Sequence, residues 1–166
     1  MSIEAKKINQ IHFKSDECLI ENTSNKVSDE EMELFDISTR ELSKKIGIIK
    51  LNYENEHNLS PTKAYEELEE KCQISISTFK STISLKINPT RHFLYKLTVG
   101  LNYSVEDANK LFKLCDGELD EDCKADYICI QALKDKDNIY SFIKDFEKYT
   151  GKKIGIKNRS TDKLDK

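Results

Sequence analysis

The sequence predicts an all-α protein, a compact bundle of about six or seven helices. Only five glycines and two prolines occur in 166 residues, so tight turns are few. Charged residues make up 34% of the chain and hydrophobic residues 37%, a balance typical of helical proteins in aqueous solution. Helix-start signals followed by apolar residues at helical spacing recur along the chain. Extended β architecture is therefore disfavoured.

Three stretches divide the chain. Residues 1–27 have weak periodicity and form an N-terminal arm in which "INQIHF" and "CLIENT" are open to interpretation as short strands or as extended chain. Residues 28–151 contain every strong helical pattern and form the predicted domain. Residues 152–166, "KKIGIKNRSTDKLDK", are basic and polar with little to bury, so we expect a flexible tail.

Two capping boxes open the domain. Ser28 with Glu31, and Ser38 with Glu41, have the spacing at which each side chain satisfies the other residue's free backbone N–H. The sequence therefore predicts two helices before "ENEHN". In the second, an apolar stripe recurs at i, i+4, i+7 and i+11: Leu42, Ile46, Ile49 and Tyr53.

Proline follows a capping residue at two further helix starts. Ser60 precedes Pro61 and the helical run "PTKAYEELEEKC", and Asn88 precedes Pro89 and the run "TRHFLYKLTVGL". Proline is favoured in the first helical turn because its missing N–H has no partner there. The predicted buried positions are Ala64, Tyr65, Leu68 and Cys72 in the first run and Phe93, Leu94, Leu97 and Leu101 in the second.

The last three helices have similar signals. Ser104 and Asp107 cap "VEDANKLFKLC", whose inward positions are Ala108, Leu111, Phe112 and Cys115. Two more helical patterns cover residues 122–135 and 138–150. Gly151 is the expected C-cap of the final helix.

The stretch "QISISTFKSTISLKINPTR" fits two periodicities. Its alternating isoleucines would suit a hairpin, whereas Ile76, Phe79 and Ile83 share one face of a helix. An isolated hairpin among helices is marginally stable, so we predict a helix from about Ile76 to Leu85 with Ser75 as its N-cap. The preceding helix meets it across the short turn "CQIS", which is the outline of a helix-turn-helix.

Composition also excludes several classes of protein. No apolar run approaches the roughly 20 residues of a membrane helix, and the N-terminus lacks a signal-peptide core, so we expect a cytoplasmic protein without membrane contact. The five scattered cysteines, an odd number, are expected to remain thiols, and their spacing lacks the close pair of a zinc site. The three histidines are dispersed and no nucleophile or phosphate-loop motif occurs, so neither catalysis nor a cofactor is expected.

The run from "SPTKAYEELEEKC" to "NKLFKLC" resembles the Cro/repressor-type (XRE-like) helix-turn-helix family. The family's turn, recognition helix, link and helix pair appear in order as Gln73 to Ser75, residues 76–84, Asn88 to Arg91, and Leu94 to Phe112. The later run "CKADYICIQAL" resembles an extension found in some such proteins of low-GC Gram-positive bacteria. Four features depart from the family pattern. Gln73 replaces the small or glycine residue usual in the turn, Leu85 stands near a frequent glycine, Ile76 is apolar where relatives often have a polar residue, and "EELEE" makes the first helix of the motif acidic.

The resemblance implies sequence-specific duplex DNA binding by a bacterial or phage transcriptional regulator. In this family the second helix of the motif enters the major groove. Ser77, Lys80 and Ser81 would lie on its outward face, where lysine reads guanine and serine contacts a base or a phosphate. Ile76 would either touch a thymine methyl group or belong to the core.

Phosphate contacts are implied on both sides of the recognition helix. Thr62 and Lys63 lie at the start of the preceding helix, and Lys86 and Arg91 lie in the link that follows. The distribution of charge also indicates that this region faces DNA, because no acidic residue occurs between Glu70 and Glu106. Five basic residues do occur there: Lys71, Lys80, Lys86, Arg91 and Lys96.

Partners remain open between two hypotheses. The first is the DNA-binding regulator, acting as a homodimer that pairs through the helices at 28–55 or at 122–150. The second is a helical protein–protein interaction module, an adaptor or phage-type inhibitor, because the same fold hosts protein contacts without DNA.

Overall fold

The structure, a computed structural model, describes Phe13 and residues 28–156. This part of the chain contains seven α-helices and no strand, which confirms the predicted all-α fold. No helix within it is both long and apolar enough to cross a bilayer. The helices are α1 Asp29–Glu56, α2 Pro61–Cys72, α3 Ile76–Ile83, α4 Arg91–Gly100, α5 Val105–Cys115, α6 Lys124–Asp135 and α7 Ile139–Thr150.

The core is built around α4. This helix packs against α2, α5, α6 and α7, while α1 packs along α2, α3 and α5. Leu94 and Leu97 are completely buried, and the Tyr95 ring lies among the rings of Phe112, Phe142 and Phe146. Helix α4 is therefore apolar on most of its circumference, as its central position requires.

The prediction of two helices at the start of the domain is wrong, because α1 is one continuous helix of 28 residues. Its capping box at Ser28 and Glu31 is confirmed, with both reciprocal hydrogen bonds present at 2.9 and 3.2 Å. Ser38 instead lies inside the helix, next to Thr39, whose hydroxyl donates to the carbonyl of Phe35 at 2.8 Å. That bond satisfies a hydroxyl group within a helix and does not interrupt the backbone bonds.

The other helix starts follow the predicted caps, with one exception. Ser60, Ser75 and Ser104 each accept a hydrogen bond from the backbone N–H three residues later. Helix α4 begins after Thr90, whose hydroxyl accepts from the Phe93 N–H at 3.1 Å, so the predicted start at Asn88 and Pro89 is wrong. A threonine just after the proline provides the capping oxygen in the required geometry.

The chain after α7 is held on the bundle. Gly151 adopts the left-handed conformation of a C-cap, as predicted. Ile154 is buried, and Glu147 accepts hydrogen bonds from the Ile154 and Gly155 N–H groups at 3.1 and 3.3 Å. The first residues of the stretch predicted to be a flexible tail are therefore packed, and residues 157–166 lie outside the described part of the chain.

The cysteines differ from expectation at one position. Cys72, Cys115 and Cys129 are free thiols, and burial raises the pKa of Cys72 and Cys115 to about 12. Cys123 is disulfide-bonded, which corrects the prediction that all five cysteines remain thiols. The predicted arm at 1–27 is described only at Phe13, whose ring meets the Tyr127 ring edge-on at 5.4 Å.

Candidate nucleic-acid interface

A three-residue turn joins α2 to α3 and produces the helix-turn-helix outline. Gln73 has φ 51° and ψ 42°, a left-handed conformation that glycine adopts without strain. Its side-chain amide donates to the Glu70 carbonyl at 3.0 Å and so stabilises the turn. Leu85, after α3, also has a positive φ of 63°. Gln73 and Leu85 therefore both adopt a backbone conformation that glycine takes without strain.

Helix α3 has a buried side and an exposed side. Phe79 and Thr82 are buried, and the Phe79 ring packs edge-on against Phe93 of α4 at 5.4 Å. Ser77 and Lys80 are exposed, as the sequence predicts. The remaining predicted contacts of this helix, Ile76 and Ser81, are half-buried.

Lys80 projects from the middle of α3 next to the aromatic ring of Tyr65 on α2. Its Nζ lies 5.4 Å from the ring centroid, a cation–π distance. Lys80 and Lys86 make no ion pair with the described residues, and both are exposed. Their charges are therefore available to an anionic partner.

An acidic side chain also lies at the N-terminus of α3. The Ile76 N–H donates to Glu69 Oε2 at 2.7 Å, so the Glu69 carboxylate occupies one free amide of the helix start. Glu69 is not among the residues that the sequence predicts for the site. Its only signal is its place in the last turn of the preceding helix, within "EELEE".

The first turn of α2 holds the other predicted contacts of the motif. Thr62 and Lys63 are both exposed there, just after the Ser60 cap. The Lys63 ammonium group lies 3.1 Å from a carboxylate oxygen of Glu66, and both side chains are largely in solvent. Such surface pairs are weak, so Lys63 remains free to exchange partners.

Arg91, predicted to contact phosphate from the link after α3, is the first residue of α4, and its side chain lies inside the bundle. Its side chain is only 11% exposed, and its guanidinium group binds both carboxylate oxygens of Asp126, with Nε to Oδ1 at 2.9 Å. It also pairs with Asp116 and donates to the carbonyls of Gly117 and Glu118. The guanidinium group is therefore committed to the connection between α5 and α6.

Lys96 is a second basic residue that faces inward. Its Nζ donates to the carbonyls of Gln73 and Ile154 at 2.9 and 2.7 Å, and burial lowers its pKa. Two of the five basic residues between Glu70 and Glu106, Arg91 and Lys96, thus bind partners inside the protein. The exposed three are Lys71, Lys80 and Lys86.

No protein family, curated protein or solved structure matches this chain. Its class therefore rests on its own geometry, which is that of an all-α domain with a helix-turn-helix of which α3 is the exposed second helix.

Proposed function

We propose that this protein binds duplex DNA by inserting α3 into the major groove, as a regulator of the Cro/repressor type. The observation that carries the proposal is the two-sided character of α3. Phe79 and Thr82 fix the helix to the bundle, while Ser77 and Lys80 face solvent. The major groove is about 12 Å wide and admits one α-helix, whose outward polar side chains then meet base edges.

The surrounding residues supply the phosphate contacts. Thr62 and Lys63 lie at the N-terminus of α2, where the Thr62 amide and the helix dipole favour a phosphate group. Lys86 follows α3 and reaches the backbone on the other side of the groove. Arg91 is left out of the interface because its guanidinium group already binds Asp116 and Asp126.

The first experiment selects a binding site. The full-length protein is incubated with fragmented DNA of its source at about 50 and about 200 mM salt, and the bound fragments are sequenced. We expect enrichment of one inverted repeat at both salt concentrations. Recovery of unrelated fragments that are lost at higher salt would contradict sequence-specific binding.

Lys80→Glu is expected to weaken binding to the selected site by about 1–3 kcal/mol, which is roughly 5- to 150-fold. The substitution removes a donor from the exposed face of α3 and introduces repulsion with phosphate. Fluorescence anisotropy with a labelled duplex measures the affinity. Lys144→Glu on α7 is the matched control, since Lys144 is also an exposed helical lysine without an ion pair among the described residues. Equal losses in both variants would refute the assignment of α3.

Glu69→Gln is expected to have the opposite sign and to strengthen DNA binding by roughly two- to fivefold. Glutamine retains an oxygen that accepts from the Ile76 N–H, but it removes the negative charge at the start of α3. The same anisotropy titration measures the effect, with Glu106→Gln on α5 as an exposed acidic control outside the proposed interface. An unchanged or lower affinity would mean that DNA does not approach this end of α3.

A second function, a protein–protein interaction module, is favoured by one observation. Leu85 and Ile87 are both exposed in the loop directly after α3. Side chains of this size in a contiguous exposed pair are typical of protein contacts. In this case Leu85→Ser with Ile87→Ser would remove binding to the partner, whereas Lys80→Glu would leave it intact.

A further inference from the structure

Helix α1 carries a second apolar stripe that the bundle does not cover. The stripe lies on the side of the helix away from Leu42 and Ile46, which enter the core. Its members are 64, 54, 55 and 50% exposed, in the order Leu34, Ile37, Ile48 and Leu51. Four large apolar side chains on one exposed helical face indicate a surface that contacts another molecule.

The spacing of this stripe is that of a coiled-coil seam. The apolar positions 34, 37, 48 and 51 fall at alternating intervals of three and four residues once positions 41 and 44 are included. These two middle positions are Glu41 and Lys44, and both are exposed. The stripe is thus apolar at both ends and charged, with opposite signs, at its centre.

The charges at the centre of the stripe indicate that its partner is a second copy of α1 and that the two helices run antiparallel. When a second copy of α1 lies antiparallel, Leu34 faces the partner's Leu51, Ile37 faces the partner's Ile48, and Glu41 faces the partner's Lys44. A parallel pair in register would instead place Glu41 against the partner's Glu41 and Lys44 against the partner's Lys44, with like charges opposed. The sequence of this face is therefore complementary to its own reverse.

The helix dipoles favour the same direction, because antiparallel pairing opposes the two dipoles. At the ends of α1 this register sets Asp29 opposite the partner's Glu56 and Glu31 opposite the partner's Glu54, so the attraction between charges comes from the centre of the stripe alone. We propose that the protein forms a homodimer through antiparallel pairing of α1 along this stripe.

The stripe on α1 contains none of the residues proposed to contact DNA, so the two proposals are tested by different variants, although a two-fold dimer is also the assembly that an inverted-repeat site would reflect. It buries eight exposed apolar side chains, four from each copy, and closes on itself by a two-fold axis, so assembly stops at two copies. The core-facing side of α1 is not involved, and each bundle keeps its own packing.

The test is sedimentation equilibrium of the full chain across a wide range of protein concentrations. Wild type is expected to dimerise, and Ile37→Glu or Ile48→Glu to raise the dissociation constant by about tenfold or more. Met32→Glu is the matched control, because Met32 is an equally exposed apolar residue on another side of the same helix. Thermal melts by circular dichroism establish that each variant remains folded. A monomeric wild type, or a dimer unaffected by both stripe variants, would overturn the proposal.

Charge reversal tests the direction of pairing. Glu41→Lys and Lys44→Glu are each expected to weaken the dimer by about three- to tenfold, because each opposes like charges at the centre. The double variant Glu41→Lys with Lys44→Glu is expected to restore wild-type affinity, since the opposite charges again meet across the antiparallel pair. In a parallel pair like charges would face each other in every variant, so neither single reversal would weaken the dimer and the double variant would restore nothing. That result would refute the antiparallel arrangement.

Discussion

Arg91→Ala is expected to destabilise the protein by about 3–5 kcal/mol, although the same residue was predicted from sequence to contact phosphate. The substitution leaves Asp126, whose side chain is 0% exposed, without its bidentate partner. Asp126 also accepts hydrogen bonds from the Tyr95 hydroxyl and the Asp120 N–H, so its carboxylate cannot move out to water. A buried carboxylate that loses its cation is the costly case for an ion pair.

Urea denaturation followed by circular dichroism measures this loss. Arg40→Ala is the control, because Arg40 is exposed on α1 and its removal is expected to change stability by less than about 0.5 kcal/mol. Arg91→Lys is expected to fall between wild type and alanine, since lysine keeps the charge but lacks the planar fork that holds both oxygens. A loss below about 1 kcal/mol for Arg91→Ala would mean that solvent, not the ion pair, satisfies Asp126.

Arg91 keeps its positive charge in the folded protein. Burial lowers the pKa of Arg91, but the hydrogen bond and negative charge of Asp126 outweigh burial and raise the pKa above its ordinary value. The guanidinium group therefore stays protonated at every pH at which the protein is folded. If Arg91→Ala lowers the DNA affinity, the fraction of folded protein must be measured as well, because unfolding alone would lower the affinity.

Gly100→Ala is expected to cost about 1–3 kcal/mol or more, because the new methyl group has no space. A Cβ at Gly100 would lie 2.5 Å from the Lys71 carbonyl oxygen and 2.8 Å from the Cys72 Cα and Sγ atoms. The backbone at the end of α2 would have to move, and this is the segment that leads into the turn at Gln73. The position of α3 would shift with it.

Gly47→Ala is the matched control and is expected to have the opposite sign. A Cβ at Gly47 would lie 3.5 Å from the Ile83 Cγ2 atom, an ordinary van der Waals distance. Alanine inside α1 is favoured over glycine by up to about 1 kcal/mol through helix propensity. Urea denaturation of both variants measures the two signs. Equal destabilisation would show that the close approach at Gly100 is not rigid.

Local signals predicted most helix starts, but they placed the start of α4 at Asn88 instead of Thr90 and predicted a start at Ser38 that does not exist. Ser28, Ser60, Ser75 and Ser104 each act as the expected cap, because a capping oxygen and the amides it serves are within three residues of each other. Ser38 has the same spacing to an acidic residue but lies inside α1. The residue pattern of a capping box therefore also occurs inside a helix. It marks a helix start only where the residues before it are not helical.

The residues of the candidate site likewise include some that the sequence predicts and one that only the structure reveals. The exposure of Ser77 and Lys80 follows from helical periodicity, since Phe79 and Thr82 define the buried side of α3. The contact of Glu69 with the Ile76 amide spans the turn between two helices, so no local pattern reveals it.

The sequence by itself determined where most helices begin, which faces are apolar and where the chain turns, because these depend on neighbours a few residues apart. Only the tertiary structure decided which charges face water. Arg91 meets Asp126 across 35 residues, and Lys96 meets the Ile154 carbonyl across 58. A positive charge in the sequence has no preferred partner until folding brings a carboxylate or a carbonyl oxygen within hydrogen-bonding distance, and α4 turns both of these residues inward.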